Sequence, residues 1–509
     1  MNANIGELLH DRAVREPART AIVDAGRDGL ACRYGDLDAS ASAVAASLGR
    51  RGIKSGDRVA ICTDNGLDFV AAWFGAVYAG CATLPVPAMS TPREVAFRLQ
   101  HAGCKALLCD AAHLSLGRQS QALAQTETTI ISVDDAIECG DGPFAPVDSH
   151  ADEIAMILYT SGTTGSAKGV CITHESLRRH TAALVERTLR LKATDRVLGV
   201  LPLTHSYGIR MTLLAPFCAG ASTIFSPRFS PGKALALCRE YGVTWLPGVP
   251  TMFVAWANAD PEVPPPTLRW CMSSGAPLVE DVRLRAEAQL GAPVRQGYGL
   301  TEATFSTINA PPDDAVPGSV GAPVAGVELR IVDDASQEVP AGSRGEVLIR
   351  GQNVMAGYLD DPAATAEATR DGWLHTGDVG FVDSAGRLTL VGRSKDLILR
   401  GGHSIYPFEV EDALGAHPDI QEAAVVGVPD DYYGEEIVAV VVSEGPPSPE
   451  ALDAWMRERL APIKVPRAYA FVDTLPQGLS GKVLKRSLRE RLVEGAIVSR
   501  RVAHDRTTE

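Results

Sequence analysis

The sequence has no C-x-x-C pair of cysteines, no excess of basic residues and no repeat of fixed period. Its ten cysteines are scattered, which is typical of reduced thiols in a cytosolic protein and not of a disulfide scaffold. The net charge of −14 disfavours nucleic acid and anionic lipid as partners. Without a period of about 20–50 residues, a repeat protein is also excluded.

One stretch is apolar enough to be weighed as a membrane span. Residues 69–89 carry no charged side chain over a length that could cross a bilayer. Two glycines and two prolines interrupt it, so the pattern better predicts a buried helix ending near Gly80 and then a strand over 82–87. The first residues also lack the pattern of a secretory signal. We therefore expect a cytoplasmic protein without a membrane span.

The length of 509 residues predicts more than one domain, since domains usually have about 100–200 residues. Helical patterns alternate with short apolar strands, which predicts an α/β fold with parallel, helix-covered sheets. Beyond about residue 330 the pattern favours an antiparallel, β-barrel-like subdomain. A later alternation predicts a small α+β lobe. We place the boundary so that residues 1–394 form the N-terminal domain and residues 395–509 the C-terminal lobe.

The strongest local signal is the segment YTSGTTGSAKG over residues 159–169, which follows an apolar strand over 154–158. Its glycines allow tight turns that expose backbone N–H groups, its hydroxyls add donors, and Lys168 adds a positive charge. The spacing differs from that of a Walker A loop. The segment is predicted to hold a polyphosphate. A solvated turn is the alternative if the motif is taken alone.

Five further motifs follow this segment in the chain. They are YGLTE over 298–302, TGD over 376–378, GRSKD over 392–396, GGHSIYPFEVE over 401–411 and SGK over 480–482. Together the six resemble the core motifs of the adenylate-forming superfamily, which includes acyl- and aryl-CoA synthetases, adenylation domains of nonribosomal peptide synthetases, and luciferases. The resemblance extends over essentially the whole chain. It implies a large AMP-binding domain and a small mobile C-terminal lobe.

The resemblance implies a binding site for ATP and Mg²⁺. Residues 160–168 would hold the β- and γ-phosphates, and Thr301 would contact the α-phosphate. Glu302 would ligate Mg²⁺, a hard cation that prefers oxygen ligands, although a surface acid is the alternative. The implied nucleotide-binding residues of the large domain are Thr160, Ser161, Gly162, Thr163, Thr164, Gly165, Lys168, Ser274, Gly275, Ala276, Tyr298, Gly299, Asp378 and Arg393.

Three of these residues would hold the adenosine part. Tyr298 would stack on adenine, and Asp378 would accept hydrogen bonds from the ribose hydroxyls. Arg393 would bind ribose or phosphate oxygens. Taken alone, Asp378 could be a turn residue and Arg393 an exposed linker residue.

Catalysis is assigned by resemblance to Lys482, with Thr301 and His205 in supporting roles. Lys482 would bridge the reacting carboxylate and the α-phosphate, which a positive charge suits. The neighbouring basic residues leave a basic helix face as the alternative. Because Lys482 lies on the small lobe, the lobe would rotate about a hinge at Lys395, and Gly401 and Gly402 would then line a tunnel for a thiol.

The acid pocket is predicted around His205, which matches the pocket histidine of acyl- and aryl-CoA synthetases, although a buried core histidine is the alternative. No aspartate lies between residues 197 and 227, so amine-free acids are favoured over amino acids. Arg210 would either pair with a second acidic group of the substrate or, as we prefer, reach a loop acid or carbonyl. The full candidate set is His205, Tyr207, Gly208, Arg210, Trp245, Gly248, Val249, Gly275 and Thr304.

These observations predict an ATP-dependent acid–thiol ligase that forms an acyl adenylate and pyrophosphate and passes the acyl group to coenzyme A. One alternative acceptor is the phosphopantetheine of a carrier protein. A kinase or phosphate-releasing ATPase and a non-catalytic binding protein are alternatives of other classes. The identity of the acid (aryl, aliphatic or dicarboxylic), the pathway and the oligomeric state stay open.

Overall fold

In the computed structural model of the chain, the described residues are 3–140, 144–160, 167–311, 315–443, 445–478 and 483–502. The strands of the first 311 residues are β1 (Thr20–Asp24), β2 (Leu30–Arg33), β3 (Arg58–Cys62), β4 (Ala82–Pro85), β5 (Ala106–Cys109), β6 (Thr129–Ser132), β7 (Ile154–Thr160), β8 (Lys168–Thr173), β9 (Arg196–Gly199), β10 (Ser222–Phe225), β11 (Trp245–Gly248), β12 (Trp270–Ser273), β13 (Val294–Leu300) and β14 (Ala303–Ile308). The helices are α1 (Glu7–Arg15), α2 (Tyr34–Arg50), α3 (Leu67–Tyr78), α4 (Pro92–His101), α5 (Leu114–Ala124), α6 (Val133–Glu138), α7 (His174–Ala183), α8 (Ser206–Gly208), α9 (Ala215–Ala219), α10 (Pro231–Tyr241), α11 (Pro250–Ala257) and α12 (Glu280–Leu290).

The later strands are β15 (Ser319–Pro323), β16 (Val327–Val332), β17 (Gly345–Gly351), β18 (Gly357–Tyr358), β19 (Thr369–Arg370), β20 (Trp373–Val382), β21 (Leu388–Arg393), β22 (Ile398–Arg400), β23 (His403–Ile405), β24 (Glu422–Asp430), β25 (Gly434–Val442), β26 (Ala468–Phe471) and β27 (Ser499–Arg501). The later helices are α13 (Pro362–Ala368), α14 (Pro407–Gly415), α15 (Pro449–Arg457) and α16 (Lys485–Val493). The predicted α/β fold is confirmed, and several strand bounds agree with those expected from the sequence.

The described residues form two large sheets before the last lobe. One has the order β18-β8-β7-β4-β3-β5-β6, with β4, β3, β5 and β6 parallel and β7 and β8 antiparallel. The other begins at β2, which is antiparallel to β1, and runs through the parallel strands β1, β10, β9, β11, β12 and β13. It continues through antiparallel β14, β15, β21, β20, β17 and β16. The antiparallel subdomain predicted beyond about residue 330 is therefore a continuation of the second sheet.

Most of α3 lies in the charge-free stretch over 69–89. This helix is buried because it packs between neighbouring elements. Phe69, Trp73 and Phe74 have no exposed surface, and each buried side chain of this size stabilises the fold by about 1.5–3 kcal/mol. Gly75 permits close approach to α2, because an added Cβ would lie 2.5 Å from Val44 Cβ. Among the described residues, no helix combines the length and apolarity needed to cross a membrane.

The C-terminal lobe has its own sheet, β23-β22-β25-β26-β27, with β24 paired to β25. Its two faces pack against α14 and α15 on one side and α16 on the other. The second sheet ends at Arg393 and the lobe sheet begins at Ile398, with a 3₁₀ turn over Ser394–Asp396 between them. The sequence-based boundary lies within this connection.

Candidate active site

The segment 159–169, predicted to hold a polyphosphate, contains the connection between β7 and β8. These strands pair up to Thr160 and Lys168, which stand opposite each other at the end of the pair where the chain passes from β7 to β8. Residues 161–166, which include Ser161, Gly162, Thr163, Thr164 and Gly165, lie outside the described residues. The Lys168 ammonium lies 4.8 Å from the centre of the Tyr358 ring.

The YGLTE motif forms the hairpin between β13 and β14. Leu300 pairs with Ala303, so Thr301 and Glu302 are the two turn residues. Gly299 is required by packing, because an added Cβ would lie 2.3 Å from the Phe305 backbone nitrogen. This tight turn places the Glu302 carboxylate, a possible Mg²⁺ ligand, beside the hydroxyl of Tyr358, which donates to Glu302 Oε1 over 2.9 Å.

Asp378, in the TGD motif, connects the YGLTE and GRSKD motifs. Tyr298 donates its hydroxyl to Asp378 Oδ2 over 2.5 Å, and Arg393 Nε donates to Asp378 Oδ1 over 2.8 Å. Burial, followed by the Asp378 charge, raises the pKa of Tyr298, while the same carboxylate raises the pKa of Arg393. Arg393 is therefore an ion-paired residue of the site and not an exposed linker residue. Each Asp378 oxygen has a further lone pair that could accept from a ribose hydroxyl.

The segment 274–276 follows directly on the carboxyl end of β12 in the second sheet. Ser274 is buried and Gly275 is exposed, with a φ of +95° that favours glycine. An added Cβ at Gly275 would lie 3.9 Å from Val249 Cγ1. Gly275 and Val249, both predicted for the acid pocket, are therefore neighbours, and Ala276 is partly exposed next to them.

His205 begins the short helix α8. Its Nδ1 accepts a hydrogen bond from the Tyr207 backbone N–H over 3.2 Å, which assigns the ring proton to Nε2. Burial lowers the pKa of His205 from 6.5 to about 4, so the ring is neutral at pH 7. The chain turns tightly here, because a Cβ at Gly208 would lie 2.0 Å from the Pro202 carbonyl oxygen.

Several predicted pocket residues are enclosed by the core. Tyr207 donates its hydroxyl to the carbonyls of Gly248 and Met272 at the ends of β11 and β12. Trp245 has no exposed surface and packs against Trp270 with ring centres 5.6 Å apart. Its predicted place on the pocket surface is corrected to the core, because its ring belongs to the same hydrophobic cluster as that of Trp270 on β12. Thr304 and Gly248 are also buried.

Arg210 lies in a π-helical turn over Ile209–Leu214 and is 1% exposed. Its Nη1 donates to the Leu177 carbonyl over 2.9 Å and to Thr181 Oγ1 over 2.8 Å. Burial lowers the pKa of Arg210 from 12.5 to about 9, so it keeps its charge at pH 7. Of the two alternatives for this residue, the structure supports the contact with a carbonyl, here on α7.

Two side chains that support the pocket were not identified from the sequence. Asn65 bridges the Leu201 carbonyl and the Leu203 N–H over 2.7 and 2.9 Å, which holds the segment before His205. His180 lies 3.0 Å from the Phe305 carbonyl oxygen through its Nε2. Neither contact has a local sequence signal, because each joins residues more than 100 positions apart.

On the C-terminal lobe, Gly401 and Gly402 form the turn between β22 and β23 with φ of +55° and +81°. Lys395 is exposed in the 3₁₀ turn before this strand pair. Lys482 lies outside the described residues. The basic residues after it have acidic partners within their own lobe, such as Lys485 with Glu411 at 2.7 Å.

Comparison with known proteins bears on the whole chain. Residues 9–359 match the family model of AMP-binding enzymes, and residues 409–482 match that of the AMP-binding enzyme C-terminal domain. The chain belongs to the AMP-binding enzyme family. The predicted resemblance is therefore confirmed.

Relatives of this chain cover nearly its full length. The long-chain-fatty-acid–CoA ligase of Bacillus subtilis is 32% identical over 97% of this chain and 95% of that protein. The oxalate–CoA ligase of Arabidopsis thaliana is 35% identical over 96% and 98%. Among solved structures, ATP-bound MatB from Rhodopseudomonas palustris is 34% identical, with a TM-score of 0.90 over 96% of this chain and 99% of that chain.

The predicted reaction class is confirmed by these relatives. This enzyme is an AMP-forming acid–CoA ligase that uses ATP, Mg²⁺ and coenzyme A and proceeds through an acyl adenylate. The described residues fit such a reaction, because they combine the cations Lys168 and Arg393 with the carboxylate of Glu302, a donor type that Mg²⁺ prefers.

Proposed function

We propose that this ligase binds ATP where the edges of its two large sheets meet. Lys168 would bind the terminal phosphates, Glu302 would ligate Mg²⁺, and Asp378 with Arg393 would hold the ribose. The observation that supports this assignment is that Tyr358 contacts both Lys168 and Glu302. Mg²⁺ supplies positive charge to the phosphates when bound.

Acid activation needs two anions to meet. A carboxylate oxygen of the substrate attacks the α-phosphorus of ATP, the bond to the bridging oxygen of pyrophosphate breaks, and the electron pair leaves with pyrophosphate. Thr301 lies in the turn beside Glu302 and would donate to the α-phosphate. Lys482 would come from the C-terminal lobe by rotation about Lys395. Its positive charge would stabilise the transition state as charge builds on the α-phosphate.

Among its described candidate residues, the acid pocket presents no exposed charge, and in this sense it is neutral towards the substrate. His205 is neutral at pH 7, and the Arg210 guanidinium is enclosed and directed at α7. An extra charge on the bound acid would therefore lose its hydration without gaining a partner. We propose that the substrate is an amine-free acid whose only charged group is the reacting carboxylate. The relatives act on acids as different as oxalate and long-chain fatty acids, so their names do not decide this point.

Coenzyme A accepts the acyl group, and the Gly401–Gly402 turn would line its thiol path. Loading of a carrier-protein phosphopantetheine stays the alternative for a second acceptor. We also propose that the enzyme acts in the cytoplasm, where ATP and coenzyme A are both present.

The test is a panel of carboxylic acids in matched pairs, such as butyrate with succinate and benzoate with phthalate, followed by pyrophosphate release. We expect kcat/KM to favour the monoacid of each pair by at least about 100-fold. A consistent preference for the diacids would contradict the neutral pocket. The Lys482→Ala variant should lose activity with every acid while still binding ATP, and full activity in that variant would contradict the assigned role. Holo-carrier protein added in place of coenzyme A tests the second acceptor.

A further inference from the structure

A short segment that no sequence motif singled out connects the two halves of the ATP site. The Met355 N–H donates to the Glu302 carbonyl over 2.8 Å. Farther along, the Leu359 N–H donates to the Gly169 carbonyl over 2.7 Å, and β18 pairs with β8. One segment of backbone therefore bonds both the turn that carries Glu302 and the strand that begins at Lys168.

Tyr358, at the centre of this segment, repeats the connection with its side chain. Its hydroxyl donates to Glu302 Oε1 over 2.9 Å, and the Lys168 ammonium lies 4.8 Å from its ring centre. A cation at this distance is attracted to the ring. A hydrogen bond to one carboxylate oxygen orients the group and leaves the other oxygen for a metal ion, as surrounding donors commonly do for metal ligands.

Tyr358 is itself held in place by its surroundings. Its backbone N–H donates to Thr365 Oγ1 over 2.8 Å. Gly357 has a φ of +150°, and an added Cβ there would lie 2.8 Å from Thr365 Cγ2. Thr365 belongs to α13, whose first turn is capped by Asp361.

We propose that Tyr358 is a positioning residue that sets the Glu302 carboxylate and the Lys168 ammonium relative to each other before ATP and Mg²⁺ bind. This inference rests on the proposed roles of Lys168 and Glu302. The hydroxyl acts on the metal side of the site and the ring acts on the phosphate side, so the two contributions can be separated by substitution.

The experiment measures ATP binding by calorimetry, with Mg²⁺ and with a chelator in its place, on the full-length chain. Tyr358→Phe removes only the hydroxyl. We expect it to reduce the Mg²⁺-dependent gain in ATP affinity about tenfold and to change the Mg²⁺-free dissociation constant less than about twofold. Tyr358→Leu also removes the ring, so the Mg²⁺-free affinity should fall by a further factor of about three.

The matched control is Tyr78→Phe. Tyr78 donates its hydroxyl to Asp38 Oδ1 over 2.5 Å, a tyrosine–carboxylate bond of the same kind between α3 and α2. This variant should bind ATP like the unmodified enzyme under both conditions. Thermal unfolding of all variants checks that a change in binding does not reflect unfolding.

Glu302→Gln separates failure of the inference from failure of the proposed function. If Glu302→Gln loses the Mg²⁺-dependent gain and Tyr358→Phe keeps it in full, Tyr358 does not position the carboxylate and the inference is wrong. If Glu302→Gln itself keeps the gain, the proposed metal role of Glu302 is wrong, and the inference falls with it. Loss in both variants, with the control unchanged, supports the inference.

Discussion

The nucleotide side and the acid side of the proposed site differ in whether they present charged side chains. On the nucleotide side, the buried Asp378 is paired with the partly exposed Arg393, and the partly exposed Glu302 accepts a hydrogen bond from Tyr358. On the acid side, His205 is neutral, and Arg210 is enclosed with no acidic partner among the described residues. Charges are thus available where a polyphosphate would bind and are withdrawn where the body of the acid would lie.

This difference has a physical reason. A polyphosphate keeps several charges in every turnover, so fixed cations and a metal carboxylate reduce the cost of removing it from water. The acid loses the charge of its carboxylate when the adenylate forms, and its remaining surface needs only a pocket of suitable shape. In a protein with a net charge of −14, the positive charge that binds ATP must be concentrated at a few residues.

Removing charge from the nucleotide side should have the largest effect. Lys168→Ala is expected to lower kcat/KM for ATP by about 10²–10³-fold, because a positioned cation stabilises the phosphates as charge develops. Pyrophosphate exchange measures this loss. Lys192→Ala, at an exposed lysine of the same domain, is the control. Activity within about threefold of normal in Lys168→Ala would remove the basis of the comparison.

Removing charge from the acid side should affect stability and not specificity. Arg210→Met keeps similar length but takes the donor from the Leu177 carbonyl and the Thr181 hydroxyl, so we expect the free energy of unfolding to fall by about 1–3 kcal/mol. Urea unfolding measures the loss, with the exposed Arg179→Met as control. A change in the preference between monoacids and diacids would show instead that Arg210 faces the substrate.

The smallest expected effect is that of pH on the acid side of the site. The pKa of His205 is lowered from 6.5 to about 4, so its share of stability is present above pH 6.5 and is lost as the pH falls towards 4. Above pH 5.5 the ring stays neutral, and KM for the acid should show no inflection near pH 6.5. An inflection there that disappears in His205→Asn would mean that the pocket histidine is exposed and charged.

Local structure followed closely from local sequence. The strands predicted over 82–87 and 154–158 are present as β4 and β7, each beginning at the predicted residue, because a short apolar run between turn residues marks where a buried strand can start. The family was predictable from the six motifs because they extend across the chain, and the family models confirm it. Tyr358 was missed because its partners, Glu302 and Lys168, are 56 and 190 positions away, and nothing in its own neighbourhood indicates them.

By itself, the sequence determined the order of helices and strands, the family and the chemical groups available for activating an acid. Only the tertiary structure decided that Trp245 is enclosed, that Arg210 donates to α7 and that Tyr358 contacts both Glu302 and Lys168. The physical reason is that burial and charge pairing depend on which distant elements pack together. A side chain's type is written in the sequence, but its partner and its access to water are set by the fold.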